Sequence, residues 1–177
     1  ALPKESIGVA PEFEHQANLP KFTMHSHSGA EVAVTVLAGE LAGISAATKI
    51  FSQMMGAELR IAAGESVTLP LQEQYEYGFM PAQGSIQIEE ETGLTSSIIY
   101  MEPGRKEVTV TALEDTIVLM LGGKPFGEKI LMWWNFIGRT NDDIVQARND
   151  WNNRAELNNQ RFTDFEDSIG GWIPAPE

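Results

Sequence analysis

Glu31-Val32-Ala33-Val34-Thr35-Val36-Leu37-Ala38-Gly39 is the stretch on which the fold turns. Val32, Val34 and Val36 fall on every second position, and side chains two apart on an extended chain share one face. β-Branched residues at those places favour a half-buried strand, and Gly39 ends it. Toward the C-terminus, strand-like runs recur at intervals of roughly 8–12 residues, the rhythm of an all-β sandwich or barrel. They are Thr48–Gln53, Ala57–Ala62, Ser66–Leu71, Tyr75–Met80, Ser85–Glu89, Ser96–Met101, Glu107–Ala112 and Ile117–Leu121. Turn signals such as Ala63-Gly64-Glu65, Pro81-Ala82-Gln83-Gly84 and Glu102-Pro103-Gly104 separate them. Glu89-Glu90-Glu91 reads as a solvated hairpin tip.

Toward the N-terminus the alternation stops. Pro3, Pro11 and Pro20 punctuate an irregular segment that closes on Ser26-His27-Ser28-Gly29. Past the strands, one helix is signalled. Thr140 can cap it, Asp143 follows three residues later, and Ile144, Ala147 and Trp151 form an apolar stripe expected to bury against the barrel. Trp133 and Trp134, read as neighbours on a strand, should point to opposite faces. The tail carries Phe162, Phe165 and Trp172, three large rings that should seek a groove on this domain or on a partner. The expected organisation is a linker-like segment over 1–30, a barrel over 31–137, a helical segment over 138–160 and a tail over 161–177.

Composition excludes several function classes. The 177 residues suffice for a core, and 42% hydrophobic residues mark a globular chain. Twelve lysines and arginines among 25 aspartates and glutamates, a net charge of -13, cannot form the basic face that nucleic acid or an anionic membrane requires. No cysteine is present, so disulfides, thiolate metal sites and cysteine nucleophiles are excluded. The three histidines, His15, His25 and His27, all lie in the first 27 residues. The aliphatic run Thr116–Leu121 is far too short to span a bilayer. Ala1-Leu2-Pro3-Lys4-Glu5 lacks a charged-then-apolar leader, and a cytoplasmic location is the expectation. Gly122-Gly123-Lys124-Pro125 lacks the spacing of a phosphate-binding loop.

Longer blocks carry a resemblance. Leu121-Gly122-Gly123-Lys124-Pro125-Phe126-Gly127-Glu128, then Trp133-Trp134-Asn135-Phe136-Ile137 and Arg139-Thr140-Asn141-Asp142-Asp143-Ile144, resemble the closing segment of the pirin family. Val36-Leu37-Ala38-Gly39-Glu40-Leu41-Ala42-Gly43 resembles the start of that family's C-terminal domain, and Gly170-Gly171-Trp172-Ile173-Pro174 its ending. Leu2-Pro3-Lys4 and Phe13-Glu14-His15 resemble the linker between its two domains. The resemblance implies a cupin-type β-barrel, the second of two in tandem. It also implies that iron or another divalent metal belongs to an N-terminal cupin outside this sequence. Alone, the chain is then expected to be a metal-free scaffold or interaction half without a catalytic residue. Some pirins resemble quercetin 2,3-dioxygenases, so an intact parent could be a metal-dependent dioxygenase with this half as one wall of its site. A free-standing small-molecule-binding cupin is the third reading.

The cupin ligand pattern can be laid on the chain directly. Gly64 and Gly84 take the two glycine places, Pro70 and Gln72 the two histidine places, Glu76 or Tyr77 the carboxylate place, and Glu107 the last ligand's strand. Proline has no donor and a glutamine amide is a poor ligand for a first-row metal, so no metal is expected in this barrel. His25-Ser26-His27 could aim two imidazoles at one ion with His15 as a third, but exposed imidazoles in a polar linker are the expectation. Small barrels fill their interiors with side chains. If a pocket remains, Gln72, Tyr77 and Glu107 are its candidate polar groups. The expected partners are a sister N-terminal cupin barrel or a second copy in a homodimer, the apolar contact strengthened by salt.

Overall fold

The structure, a computed structural model, describes residues 1–10, 12–153, 162 and 173–176. Leu2–Phe126 and Gly127–Glu177 form two compact units.

The first unit is built of twelve strands. They are β1 (Lys21–His25), β2 (Glu31–Ala38), β3 (Glu40–Leu41), β4 (Ile44–Ser45), β5 (Met54–Ile61) and β6 (Ser66–Pro70). Then come β7 (Glu76–Gln83), β8 (Ile86–Ile88), β9 (Glu91–Gly93), β10 (Ile99–Met101), β11 (Glu107–Ala112) and β12 (Thr116–Gly123). A six-stranded sheet runs in the order β1-β2-β5-β12-β7-β10 and a four-stranded one in the order β6-β11-β8-β9. Every pairing in both sheets is antiparallel. Strand neighbours far apart in sequence, such as β5 and β12, place residues from several turns of the chain around one core.

That core takes the inward residues of both sheets. Val32, Val34 and Val36 of β2 meet Ala57, Leu59 and Ile61 of β5, Val118 and Met120 of β12, and Val67, Leu69, Val108 and Val110 from the smaller sheet. Alternation therefore does what it should: β2 buries its even-numbered valines, and β11 buries Val108, Val110 and Ala112. The tip between β8 and β9 is Glu89-Glu90, exposed, with Glu89 bonded to Arg105. The β3–β4 hairpin turns on Ala42 (φ 52) and Gly43 (φ 82), the paired positive angles that match strand twist in a two-residue connection.

Two segments depart from the sequence reading. Lys21–His25, inside the stretch read as irregular, is an edge strand in full register with β2, with Phe22 and Met24 packed on the core. Thr48–Gln53 is not a strand. Its Thr48 hydroxyl donates to the Leu37 carbonyl at 2.7 Å, where the register of β2 on β5 shifts, and Lys49 pairs with Glu12 at 2.6 Å.

The second unit pairs a hairpin with a helix. Strands β13 (Leu131–Trp133) and β14 (Phe136–Gly138) are antiparallel, and α1 spans Asn141–Asn152. Thr140 and Asp143 form a reciprocal capping box: the Asp143 N–H donates to the Thr140 hydroxyl at 3.2 Å, and the Thr140 N–H donates to the Asp143 carboxylate at 2.9 Å. The helix stripe packs as a stripe, with Ala147 buried and Ile144 and Trp151 half-buried. Its partners within the unit are Trp133, Trp134, Phe136 and Phe162. Trp134 does not alternate with Trp133. It sits at φ 50 in the turn, so both rings reach Phe136, at centroid distances of 6.3 and 5.2 Å. Phe162 lies 5.9 Å from Phe136 and 5.4 Å from Trp151, a groove on its own unit. Phe165 and Trp172 lie outside the described residues. Among the described residues, no helix is long and apolar enough to cross a membrane.

Candidate functional site

Among the described residues, a small recess with a buried phenol in its wall lies at the end of the sheets where β6 leaves for β7. It is a cavity of about 130 Å3 lined by the β3–β4 hairpin from Glu40 to Gly43, Met55 of β5, Pro70, Leu71, Gln72, Tyr77 of β7 and Met120 of β12. Each element is there for a local reason. The tight turn at Ala42-Gly43 folds the hairpin back, and the alternation of β5, β7 and β12 turns Met55, Tyr77 and Met120 inward.

Tyr77 is 3% exposed and holds the chain that follows β6. Its hydroxyl accepts the Gln72 backbone N–H at 2.8 Å. Gly122, its partner across the ladder, is what lets the ring lie there, because a Cβ at that position would come within 2.5 Å of the ring carbons. Tyr75 and Phe79 flank Tyr77 at centroid distances of 6.1 and 6.4 Å. Burial pushes the Tyr77 hydroxyl above its ordinary pKa, with Tyr75 adding to the rise against the pull of the Gln72 bond. Burial and then the Glu40 carboxylate push Tyr75 up as well. Both phenols are protonated donors at neutral pH. Among the described residues Glu40 is the only ionisable carboxyl or amine in the lining, and beyond it the surface opens into a cleft of about 600 Å3 along Thr48, Phe51, Gln53 and Tyr75.

Of the three polar residues proposed for the interior, the structure brings two together. Gln72 and Tyr77 share the cavity, although Gln72 contributes its backbone N–H to the bond while the residue as a whole is exposed. Glu107 does not join them. It pairs with Pro70 across β6 and β11 on the outward face, opposite to Val108. The residues that build most of the wall, Leu41, Met55, Leu71 and Met120, come from four separate places in the chain. Only their inward alternation could have pointed to them.

The cupin metal frame does not fit a metal here. Pro70 is outward and exposed, and the inward places at this end of β6 fall on Leu69 and Leu71. Glu76 is occupied as well, accepting the Tyr100 hydroxyl at 2.8 Å. Leucine offers no donor atom, so the place where imidazoles would converge is hydrocarbon. Among the described residues, no group of three or more His, Cys, Asp or Glu could hold an ion. His15 and His25 are exposed, and His27 is engaged by Thr68 at 2.9 Å, which continues to Thr109 at 2.9 Å. Around it, the Ser26 and Ser28 hydroxyls each donate to Glu65 at 2.6 Å, and those two bonds hold the Glu65 carboxyl below its usual pKa. The triplet His25-Ser26-His27 fastens the chain to β6.

Comparison with known proteins agrees with this architecture. The Pirin C-terminal cupin domain family matches residues 56–156. A Pseudomonas aeruginosa protein bearing the provisional name quercetin 2,3-dioxygenase is 33% identical over 176 residues, covering 99% of this chain and 53% of that protein. A pirin-like protein of Caulobacter vibrioides is 25% identical over 177 residues, covering 100% and 58%. The crystal structure of a quercetin 2,3-dioxygenase from Acinetobacter baumannii superposes with a TM-score of 0.89 at 29% identity, over 100% of this chain and 56% of that one. The two antiparallel sheets are thus of the cupin type, and the chain spans about half the length of the curated relatives it matches. With more than half of its residues matched, the chain belongs to the pirin family, to its C-terminal cupin domain.

Proposed function

We propose that this chain serves as the metal-free half of a two-cupin protein, a scaffold that holds a sister barrel and carries no catalytic residue. One observation supports it above the others. One end of the outward face of the six-stranded sheet, beyond the charged Glu58 and Arg60 of β5, carries apolar side chains where a solvent-facing antiparallel sheet would be polar. Leu121 of β12 is flanked in register by Gly56 of β5 and Gly78 of β7, and Tyr100 of β10 stands beside Gly78. Ile98 packs over Gly78, its Cγ2 3.1 Å from where a Cβ would sit. Leu121, Ile98 and Tyr100 are 45%, 58% and 60% exposed. Two glycines between projecting apolar side chains make a shallow socket, and contiguous exposed apolar patches mark interaction sites.

Left without the sister barrel, that face should bring two copies together in spite of their net charge of -13 each. Sedimentation of the 177-residue chain should find a dimer that added salt strengthens, and the double variant Ile98→Lys, Leu121→Lys should be monomeric. A wild-type chain that stays monomeric at tens of micromolar, in low and high salt alike, overturns this reading of the face. The names of the Pseudomonas and Acinetobacter relatives favour a second, compatible reading. In it the longer protein is a dioxygenase whose iron or other divalent metal lies in its N-terminal cupin, with this half forming a wall of the site. Metal analysis of the longer protein tests it.

A further inference from the structure

The Tyr77 hydroxyl is half-used. A phenol both donates and accepts one hydrogen bond readily, and this one accepts from Gln72 while its own proton finds no acceptor among the described residues. The residue is buried, and a buried donor without a partner is costly enough that a native fold rarely leaves one idle. It stands in the wall of the cavity that Leu41, Met55, Leu71 and Met120 line. Size and chemistry narrow what could complete it. At about 130 Å3 the cavity is close to the roughly 150 Å3 apolar cavity known to hold benzene, so one ring fits and a three-ring flavonol does not. Two thioether side chains give a soft wall that adapts to an aromatic face. No lysine or arginine lines the cavity and Glu40 stands at its rim, so an anionic ligand would be repelled.

We propose that this cavity binds a small uncharged single-ring aromatic compound through an oxygen that accepts the Tyr77 hydroxyl proton. The inference goes beyond the scaffold reading and does not depend on it, since the cavity lies between the sheets at one end and the proposed contact face is on the outward side of the larger sheet. The 177-residue chain labelled with 13C at its methionine methyls provides the readout. Titration with 4-fluorophenol should shift the Met55 and Met120 methyls saturably and leave Met132, in the other unit, in place. Fluorobenzene, which lacks the oxygen, should bind more weakly, and 4-fluorobenzoate should not bind. Tyr77→Phe should weaken 4-fluorophenol about fivefold, the usual share of one neutral hydrogen bond, and leave fluorobenzene unchanged. Thermal unfolding of the variant checks that it is folded. The proposal is overturned if 4-fluorophenol leaves Met55 and Met120 unmoved at millimolar concentration, since water alone would then fill the cavity. It is equally overturned if Tyr77→Phe weakens both neutral probes alike or neither, or if the benzoate binds best.

Discussion

The two units bury their apolar side chains in different ways. In the first, the core is mostly aliphatic and laid out by strand alternation, with Val32, Leu59, Leu69, Val110 and Val118 fully enclosed between two sheets and Phe79 the largest ring among them. Among the described residues of the second, the buried apolar side chains are those of Phe136, Ala147 and Ala175, and the surrounding rings of Trp133, Trp134, Trp151 and Phe162 remain half-open. The first core rests on area removed from water, so its parts are close to interchangeable in kind. The second rests on a few ring-to-ring contacts whose geometry has to be right, such as the edge-on approaches of Trp151 to Trp134 at 5.9 Å and to Phe162 at 5.4 Å. A sheet core tolerates substitution by volume, whereas a ring cluster this small depends on individual members.

Substitution can break that contrast. Phe79→Ala, at a fully buried position of the sheet core, should cost about 3–5 kcal/mol in denaturant unfolding because it leaves a cavity that the packed sheets only partly collapse. Trp151→Ala should cost less, about 2–3 kcal/mol, because the ring is only half-buried, although it also loses the indole N–H bond to the Ile173 carbonyl at 2.9 Å. If Trp151→Ala proved the costlier of the two, the ring cluster would be the tighter core and the contrast would be reversed.

A smaller effect sharpens the comparison within the second unit. Thr140→Ala removes one arm of the capping box and should lower stability by about 1 kcal/mol, read as lost helicity in far-ultraviolet circular dichroism. Acid reaches the same box from the other arm. The backbone N–H groups of Arg139 and Thr140, and then the Thr140 hydroxyl, hold the Asp143 carboxyl below its usual pKa. A carboxyl depressed by folding stabilises fully above its unfolded pKa, and that contribution disappears as the pH falls through the lower folded value. Helicity should therefore fall on acidification below the ordinary carboxylate range, and Thr140→Ala should blunt the change. A flat profile through that range would remove Asp143 from the account.

How much of this was legible in the sequence depends on which physical signal a segment carries. Glu107–Ala112 was readable to the residue, because its partners on both sides leave strict alternation undisturbed. The capping box was readable because it is a local motif. Lys21–His25 also alternates, but as an edge strand it buries nothing completely, and the prolines around it argued for a loop. Trp134 was not readable: a large residue at positive φ is disfavoured by its own sterics, and only the surrounding rings hold it there. At the site, Tyr77 followed from alternation. Counting from Gly64 put Pro70 and Gln72 inside, whereas the burial of Val67 and Leu69 sets the opposite phase and leaves Glu107, across from Pro70, in solvent. The cavity itself is made of residues that no single segment brings together.

The order of strands in the larger sheet has a consequence in time. Its central pair joins β5 to β12, with Ile61 beside Thr116 and Met54 beside Gly123. During synthesis β5 leaves the ribosome long before β12 exists, and its inner residues Met55, Ala57, Leu59 and Ile61 must wait uncovered on that side. Pairings so remote in sequence form slowly, and a waiting apolar edge is open to the wrong neighbour. The yield of folded chain should therefore respond more to whatever shelters β5 in that interval, and to slower or cooler growth, than to improvements in final stability.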